Sequence, residues 1–585
     1  MKNLKNVNHK VDVCVIGGGI AGICAALSAA RNGVSVALIH DRPVLGGASS
    51  SENRVHICGA DRHNQIPNMR ETGIVEELRL ENLRKNPFKN YYIWDTILYE
   101  KVRFEPNIKL FLNATCMDAK NIGNKIKEIT AWQLTTQTFH HVEAKIFIDC
   151  SGDAILAPLT GALWTMGRES SSKYNESLAD KKGNKYTMGM TCLFQAIDIG
   201  KPVVFEPPKW AYKYPNENDL PYGLNGHKHI EMGYWWIELG GMDNCIDNAE
   251  KIKDELLKIV FGVWDHIKNY CINKEVAKNW AIDWIQFLPT KRESRRYIGD
   301  YVLTQNDILA EGKFHDIVAY GGWTMDDHNS GGFNSKEYKK QPTIFHKTPS
   351  PYGIPYRILY SKNISNLMFA GRCISVSHMA LSSTRVQATC GVIGQAVGTA
   401  SAIAVKNNLT PREVGRKKIK ELQQLLLADD CYLPWIKQEF SPLTKNAKLR
   451  ASAGNPEPLR DGISRPVGSN NHRWDCKIGD FVEYIFNRVT KVKKVTIVFD
   501  SALSKLIQLS HHQIDNQLTS PPPELVKEFH IDIYNGKRWK TIFIEKDNYQ
   551  RLRKIIINRK ILGIRLYLDK TWGSIKTAVY AFYLD

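Results

Sequence analysis

Gly17-Gly18-Gly19-Ile20-Ala21-Gly22 is the first stretch of this chain whose residue types could do chemistry. The spacing is G-x-G-x-x-G, and it offers a seat for a pyrophosphate. Gly17 permits a tight turn, Gly19 lets a phosphate approach the backbone, and Gly22 lets the following helix pack closely. The N-terminus of that helix then faces the negative charge. Two later segments carry reactive side chains. Pro289 to Arg296 sets four cations, Lys291, Arg292, Arg295 and Arg296, within six residues. Such a cluster can hold an anion, and arginine can do so bidentately; a salt-bridge network linking domains is the competing reading. His328 follows Asp326 and Asp327. Carboxylate contact orients an imidazole and raises its pKa, which suits a general base.

The elements around the glycines are the ones the motif requires. Val11 to Ile16 is a nearly continuous apolar run, suited to a strand buried on both faces. Ala25 to Ala30 continues the helix, Asn32-Gly33 ends it, and Val34 to Ile39 forms the second strand, completing a βαβ unit. Asn107 to Cys116 reads as a strand with a turn, and Lys125 to Lys145 as a hairpin. A strand follows, ending at Cys150-Ser151-Gly152-Asp153. Gly161 to about Gly353 departs from this pattern: it is rich in aromatic residues, with a helix expected over Asp254 to His266. Asn363 to Ala370 is strand-like again, and Gly391 to Val405 is an alanine- and glycine-rich helix. Thr410-Pro411-Arg412-Glu413 starts one more helix. Beyond Pro458 the chain breaks into short strands between turns such as Asn535-Gly536, the pattern of a β-sandwich.

At 585 residues the chain exceeds one ordinary core, so two or three domains are expected. Hydrophobic residues at 43% and charged residues at 24% are those of a soluble globular protein. The polar Met1 to Lys10 leaves no room for a secretory signal, and the apolar runs are read as shorter than the ~18 residues of a membrane span. The expected setting is cytoplasmic, with no membrane partner. The twelve cysteines are scattered without a C-x-x-C pair, against an iron-sulfur cluster or a disulfide framework, and no metal site is expected. Of the net charge of +19, more than half lies in residues 441 to 585, with 25 Lys and Arg against 14 Asp and Glu. No nucleic-acid motif accompanies it, so a solvated basic surface is the reading.

His40-Asp41-Arg42-Pro43-Val44-Leu45-Gly46-Gly47-Ala48-Ser49, after the second strand, resembles the FAD-dependent oxidoreductases of the glutathione-reductase-like fold. The likeness is to the branch that includes fumarate reductase flavoproteins, and within it to a bacterial group often associated with polysaccharide breakdown. Similar motifs recur at 289–296, at Tyr320-Gly321-Gly322-Trp323 through His328, and at Ala370-Gly371-Arg372 through His378. The resemblance covers about residues 11 to 440. It implies FAD, held by Gly17, Gly19, Ile20, Ala21, Gly22, Gly46, Gly47, Ser49, Ser151, Gly152, Asp153, Gly371, Arg372, Val386 and Gln387. An adenine contact falls near Cys116. The family usually ends the second strand with a carboxylate for the ribose, where this chain has His40. Asp41, or His40 as a neutral acceptor, takes that part, with Arg42 beside them. Arg54 and His56 would run toward the flavin, and His378 and Arg385 would lie near its ring.

The fold class that follows is α/β: a Rossmann-like FAD-binding domain with an inserted α+β substrate domain, plus a C-terminal all-β sandwich. Boundaries fall at 1–165 and 354–440 for the two FAD-binding parts, 166–353 for the insert and 441–585 for the sandwich. The sandwich resembles discoidin-like domains in pattern, with Trp474, Trp539 and Trp572 as sugar-stacking candidates against a core role. The expected activity is hydride transfer between a polar, sugar-derived small molecule and the flavin, with His328 or His378 as base. Two alternatives stand beside it. One is a reductase of an activated C=C bond in which Arg292 or Arg385 clamps a carboxylate; the other is a glycan-binding flavoprotein with secondary redox activity.

Overall fold

A seven-stranded sheet organises the first half of the chain in this computed structural model, which describes residues 4–338, 341–509 and 517–585. Its strands are β1 (Lys5–Ile16), β2 (Val36–Ile39), β3 (Ile108–Phe111), β4 (Ala114–Ile122), β5 (Lys125–Gln133) and β6 (Thr138–Asp149), in spatial order β3-β2-β1-β6-β5-β4. The seventh, Leu367–Phe369, lies parallel to the end of β6. β1, β2 and β3 run parallel, with Val13 opposite Val36 and Val36 opposite Ile108. β1 begins six residues earlier than the apolar run at Val11, because its polar first half pairs with Thr138 to Glu143 of β6.

Helix α1 (Ile20–Arg31) is buried along nearly its whole length. It lies against the helix Gln387–Asn407, and glycine is what lets the two backbones touch. A Cβ on Gly394 would meet the Ala21 carbonyl at 2.1 Å, and one on Gly398 the Ala25 carbonyl at 2.2 Å. That helix corrects the reading of the apolar runs. At 21 residues and a mean hydropathy of 1.5 it is long and apolar enough to cross a membrane, yet 94% of the window is buried inside this fold.

Between β6 and Leu367 the chain makes a long excursion of small two- and three-stranded sheets around the helix Ala249–Asp265. Its own core gathers Phe194, Tyr234, Trp236, Leu256, Val260 and Trp264. The helix expected from Thr410 is two, Pro411–Lys417 and Ile419–Ala428, the first with a capping box between Thr410 and Glu413.

The C-terminal sandwich is antiparallel throughout. Its strands are not all short. Phe481–Phe499 and Leu552–Thr571 have 19 and 20 residues, and register breaks at Ile485/Thr490 and Val492/Lys494 interrupt their pairing. The sandwich core includes Trp474, whose indole N–H bonds the Ala453 carbonyl. Trp539 lies under the Arg565 guanidinium at 4.0 Å, and Trp572 beneath Arg84 and Lys527. All three tryptophans are thus engaged by the protein itself.

Buried charge joins sandwich to body. Arg70, wholly buried, grips Glu76 through two bonds of 2.8 and 2.9 Å and donates to the carbonyls of Ser501, Ala502 and Lys505. Arg551 reaches back to Asp430 at 2.7 Å. Removing one member of such a pair strands the other, which typically costs about 3–5 kcal/mol.

Candidate functional site

The carboxyl ends of β1, β6 and Leu367–Phe369 converge, the place where open α/β sheets bind ligands. Gly17 has φ +102°, and a Cβ there would strike the Cys150 carbonyl at 2.4 Å; one at Gly22 would lie 1.8 Å from the Gly17 carbonyl. Gly19 differs. Its φ of −68° suits any residue, and a Cβ there would meet only the Gly47 Cα, at 4.0 Å. The space in front of it is open. The Gly-Gly doublet borders that space, since Gly46 donates to the Gly18 carbonyl at 2.8 Å and pairs with Gly19 as a short parallel bridge. Gly152, just past the end of β6, lies against Arg372: a Cβ on Gly152 would touch the Arg372 guanidinium at 2.6 Å. Arg372 Nη1 is buried without a hydrogen-bond partner. An open cradle of backbone beside an unpartnered guanidinium nitrogen fits a pyrophosphate.

Several neighbours implied as ligands are instead occupied by the protein. Gly18 N–H donates to His40 Nδ1 at 3.0 Å and His40 Nε2 bonds the Val44 carbonyl at 3.0 Å, so both ring nitrogens brace the loop and neither is left for a ribose. Burial lowers its pKa, consistent with a neutral ring. Asp41 remains exposed. Arg42 grips Glu52, Ser49 is buried and bonded to the Gly46 carbonyl and Trp94, and the Cys116 thiol faces the core. Ser151 bonds Asp149 at the end of β6. Asp153 accepts from Lys291 at 2.6 Å and Ser294 at 2.7 Å, which makes it a clasp between sheet and insert. Ile20 and Ala21 are buried in α1, while Val386 caps the helix that Gln387 begins. Gln387 donates to the Val55 and His56 carbonyls, tying that helix to the loop after the doublet. Arg54 bonds Gln195 at 2.6 Å and lies over Trp284 at 4.7 Å.

The cationic segment resolves in the same way. Lys291 serves Asp153, Arg292 bonds Thr191 and pairs with Glu238 at 3.1 Å, Arg295 covers Trp164, and Arg296 holds Glu169 and Glu293. Each cation has a partner within the protein, as the salt-bridge reading supposes.

The strand Met325–His328 brings the reactive residues together, and its two-residue alternation sorts them into two networks. On one side Arg385 bonds Asp326 at 3.0 Å, and Asp326 lies 3.2 Å from His328 Nε2. His328 Nδ1 is 2.6 Å from Glu238, which pairs with Arg292. On the other side Asp327 joins Arg168 at 2.9 and 3.1 Å and His378 Nε2 at 3.0 Å. His378 Nδ1 meets Glu293 at 2.8 Å. Both ring nitrogens of His378 are therefore locked between carboxylates, which corrects its place as a candidate base. His328 is locked on one edge only: its contact with Asp326 lacks hydrogen-bond alignment, and Asp326 Oδ1 has no hydrogen-bond partner. Arg385 Nε and Trp323 Nε1 are likewise buried and unpartnered. Glu238, Arg168 and Thr191 went unremarked in the sequence; they stand in no motif.

These networks set a pH dependence. Burial alone would raise the Asp326 and Asp327 carboxyls, but Arg385 and His328 around the first, and His378 and Arg168 around the second, outweigh it. Both carboxyls sit well below the usual range. For His378 burial lowers and Glu293 and Asp327 raise, leaving it above its ordinary value. The depressed aspartates contribute stability above their unfolded pKa of ~3.9, lost as pH falls through the folded values. The raised histidine contributes below ~6.5, lost as pH rises through its folded value. Melting temperature should therefore fall on both flanks. In His378→Gln the alkaline decline should flatten; an unchanged alkaline limb would show that His378 is not its source.

A family model described as FAD dependent oxidoreductase matches residues 12–426. No curated protein matches the chain. Among solved structures, a geranylgeranyl bacteriochlorophyll reductase-like protein from Thermoplasma acidophilum is similar at 12% identity, over 72% of this chain and 86% of that one, with a TM-score of 0.31. The family 32 carbohydrate-binding module from Streptococcus pneumoniae EndoD is similar at 12% identity, over 25% of this chain and 99% of that one, with a TM-score of 0.19. A chitosan-binding module of a Paenibacillus chitosanase/glucanase is similar at 14% identity, over 24% and 95%, with a TM-score of 0.18. Likeness at this level says nothing about shared ligands.

Proposed function

The chain belongs to the family of FAD dependent oxidoreductases, and from that premise we propose that it transfers a hydride between a polar, sugar-derived substrate and its flavin. FAD supplies the two-electron chemistry. The protein holds the dinucleotide, orients the substrate and manages one proton. Gly17, Gly19, Gly46, Gly47 and Arg372 hold the pyrophosphate in this reading, and Asp41 takes the ribose. Proton transfer falls to His328, and the observation that carries this is its one unaligned edge. Nδ1 is fixed on Glu238 at 2.6 Å while Nε2 has no aligned bond. A ring oriented by a buried carboxylate, with the second nitrogen available, is the arrangement of a general base. Nε2 takes the hydroxyl proton of an alcohol, and Glu238 stabilises the imidazolium that forms. Burial would raise Glu238, but Arg292 and His328 hold it low and ionised. Arg385 Nε and Trp323 Nε1 offer donors suited to hydroxyl or carbonyl oxygens.

A second reading, reduction of an activated C=C bond in a carboxylic acid, rests on Arg385, whose Nε lacks a partner while its terminal nitrogen is held by Asp326. An anaerobic absorbance titration separates the two. Bleaching of the flavin band by sugars or sugar acids supports the first. Persistent colour with every such donor, together with reoxidation of chemically reduced enzyme by unsaturated acids, overturns it in favour of the second.

A further inference from the structure

Four side chains in the insert, none of them part of the networks above, converge on one point. Glu217, His227, His266 and Cys271 place one ligand-type atom each within 4.8 Å of all the others. The three others are buried, and Glu217 is half-buried. Glu217 Oε2 lies 3.2 Å from His227 Nε2 and 3.2 Å from His266 Nε2.

The backbone explains how residues so spaced come together. Glu217 opens a short 3-10 turn capped by Asn216 and Asp219. His227 ends another, Gly223–His227, pinned where Trp236 donates to the Gly226 carbonyl at 3.0 Å. His266 and Cys271 are five residues apart, which in an α-helix puts them on different faces. Here the helix Ala249–Asp265 passes into a π-helical turn, His266–Tyr270, and Cys271 N–H donates to the His266 carbonyl at 2.7 Å. That i+5 to i bond brings the two side chains to one side. π-turns of this kind recur at functional sites.

The two imidazoles are aimed at one carboxylate oxygen. His266 Nδ1 faces the Tyr214 carbonyl at 2.7 Å. A carbonyl only accepts, so Nδ1 carries a proton, and Nε2 is the nitrogen turned toward the Glu217 carboxylate. His227 aims its Nε2 at the same oxygen. A cation held between these atoms is met by a carboxylate oxygen and two ring nitrogens at once. The Tyr214 carbonyl then plays the outer part that fixes a ligating histidine in its tautomer.

We propose that Glu217, His227, His266 and Cys271 form a closed, four-coordinate structural site for Zn²⁺. Ligand atoms on a tetrahedral zinc at ~2.0–2.3 Å sit about 3.3–3.8 Å apart, close to the 3.2 Å found here. One thiolate, two imidazoles and one carboxylate is a zinc-type donor set, and four protein ligands leave no open position for catalysis. The expectation of no metal is replaced by this site. Binding releases the thiol proton to solvent, and the ion cross-links three segments, at 217, 227 and 266–271, in a part of the insert with little regular structure.

The test is elemental analysis of the full-length protein, purified without chelator or a metal-binding tag, with flavin measured in the same sample. One zinc per chain is expected. Cys271→Ser and His227→Gln should each lower zinc at least tenfold while flavin per chain stays constant, so failure here is distinct from failure of the flavin reading. Because either variant could misfold, wild-type protein stripped of metal is also titrated with Co²⁺, which should give a thiolate-to-cobalt absorption band. Zinc below about a tenth of an equivalent in wild type, with no such cobalt band, overturns the proposal.

Discussion

Gly19→Ala protein is expected to purify folded and colourless. The added methyl meets nothing closer than the Gly47 Cα at 4.0 Å, and the backbone already has angles that alanine adopts freely. Folding should be unaffected. The same methyl projects into the open space where a pyrophosphate would lie against the backbone, and close approach there is the reason for the second glycine of the motif. FAD affinity should drop at least ~100-fold, about 2.8 kcal/mol. Gly22→Ala is the contrasting variant: its Cβ would overlap the Gly17 carbonyl at 1.8 Å, so loss of soluble protein is expected rather than loss of flavin alone. Fluorescence of released flavin per mole of protein, with a melting curve, reads both. Full flavin occupancy in Gly19→Ala would remove the fingerprint from the binding site.

Turnover should divide the two histidines. His328→Gln is expected to lower kcat by ~10²–10⁴-fold, the usual share of a general base, with flavin content unchanged. His378→Gln should act on stability instead, at a cost below the about 3–5 kcal/mol of a fully stranded buried ion, because Glu293 and Asp327 each lose one partner but keep Arg296 and Arg168. Steady-state rates of both variants with whichever donor bleaches the flavin, set beside their denaturation midpoints, give the comparison. Equal losses of kcat, or a loss confined to His378→Gln, would overturn the assignment of the proton to His328.

The parts legible from sequence are those whose signal is local. Val11 to Gly47 carries its own strand, turn, helix and strand, and Gly17, Gly18 and Gly22 answer contacts within that unit or just past the end of β6. The alanine- and glycine-rich helix was equally plain, since close packing demands small residues. What stayed hidden depends on partners distant in sequence. Nothing beside Glu238 marks it as the support of His328, ninety residues away. The role of His40 turned on two backbone contacts that a ribose-binding carboxylate would not make. One signal was readable and missed. In Asp326-Asp327-His328, strand periodicity puts 326 and 328 on one face and 327 on the other, which already divides the cluster into two networks. The long sandwich strands escaped because polar stretches such as Asn487 to Lys494 hide continuity that pairing with Leu552–Thr571 supplies.

The buried ion pairs between sandwich and body also carry a consequence in time. Arg70 and Glu76 emerge early from a ribosome, yet the Ser501, Ala502 and Lys505 groups that complete their bonds come some 430 residues later. At ~5–20 residues per second that is a wait of roughly 20–90 s. Asp430 waits in the same way for Arg551, and the main sheet for Leu367–Phe369. Until residues 501 to 551 follow, the nascent chain holds charges that nothing yet covers, so the native contacts of Arg70 and Asp430 form late relative to the segments that carry them.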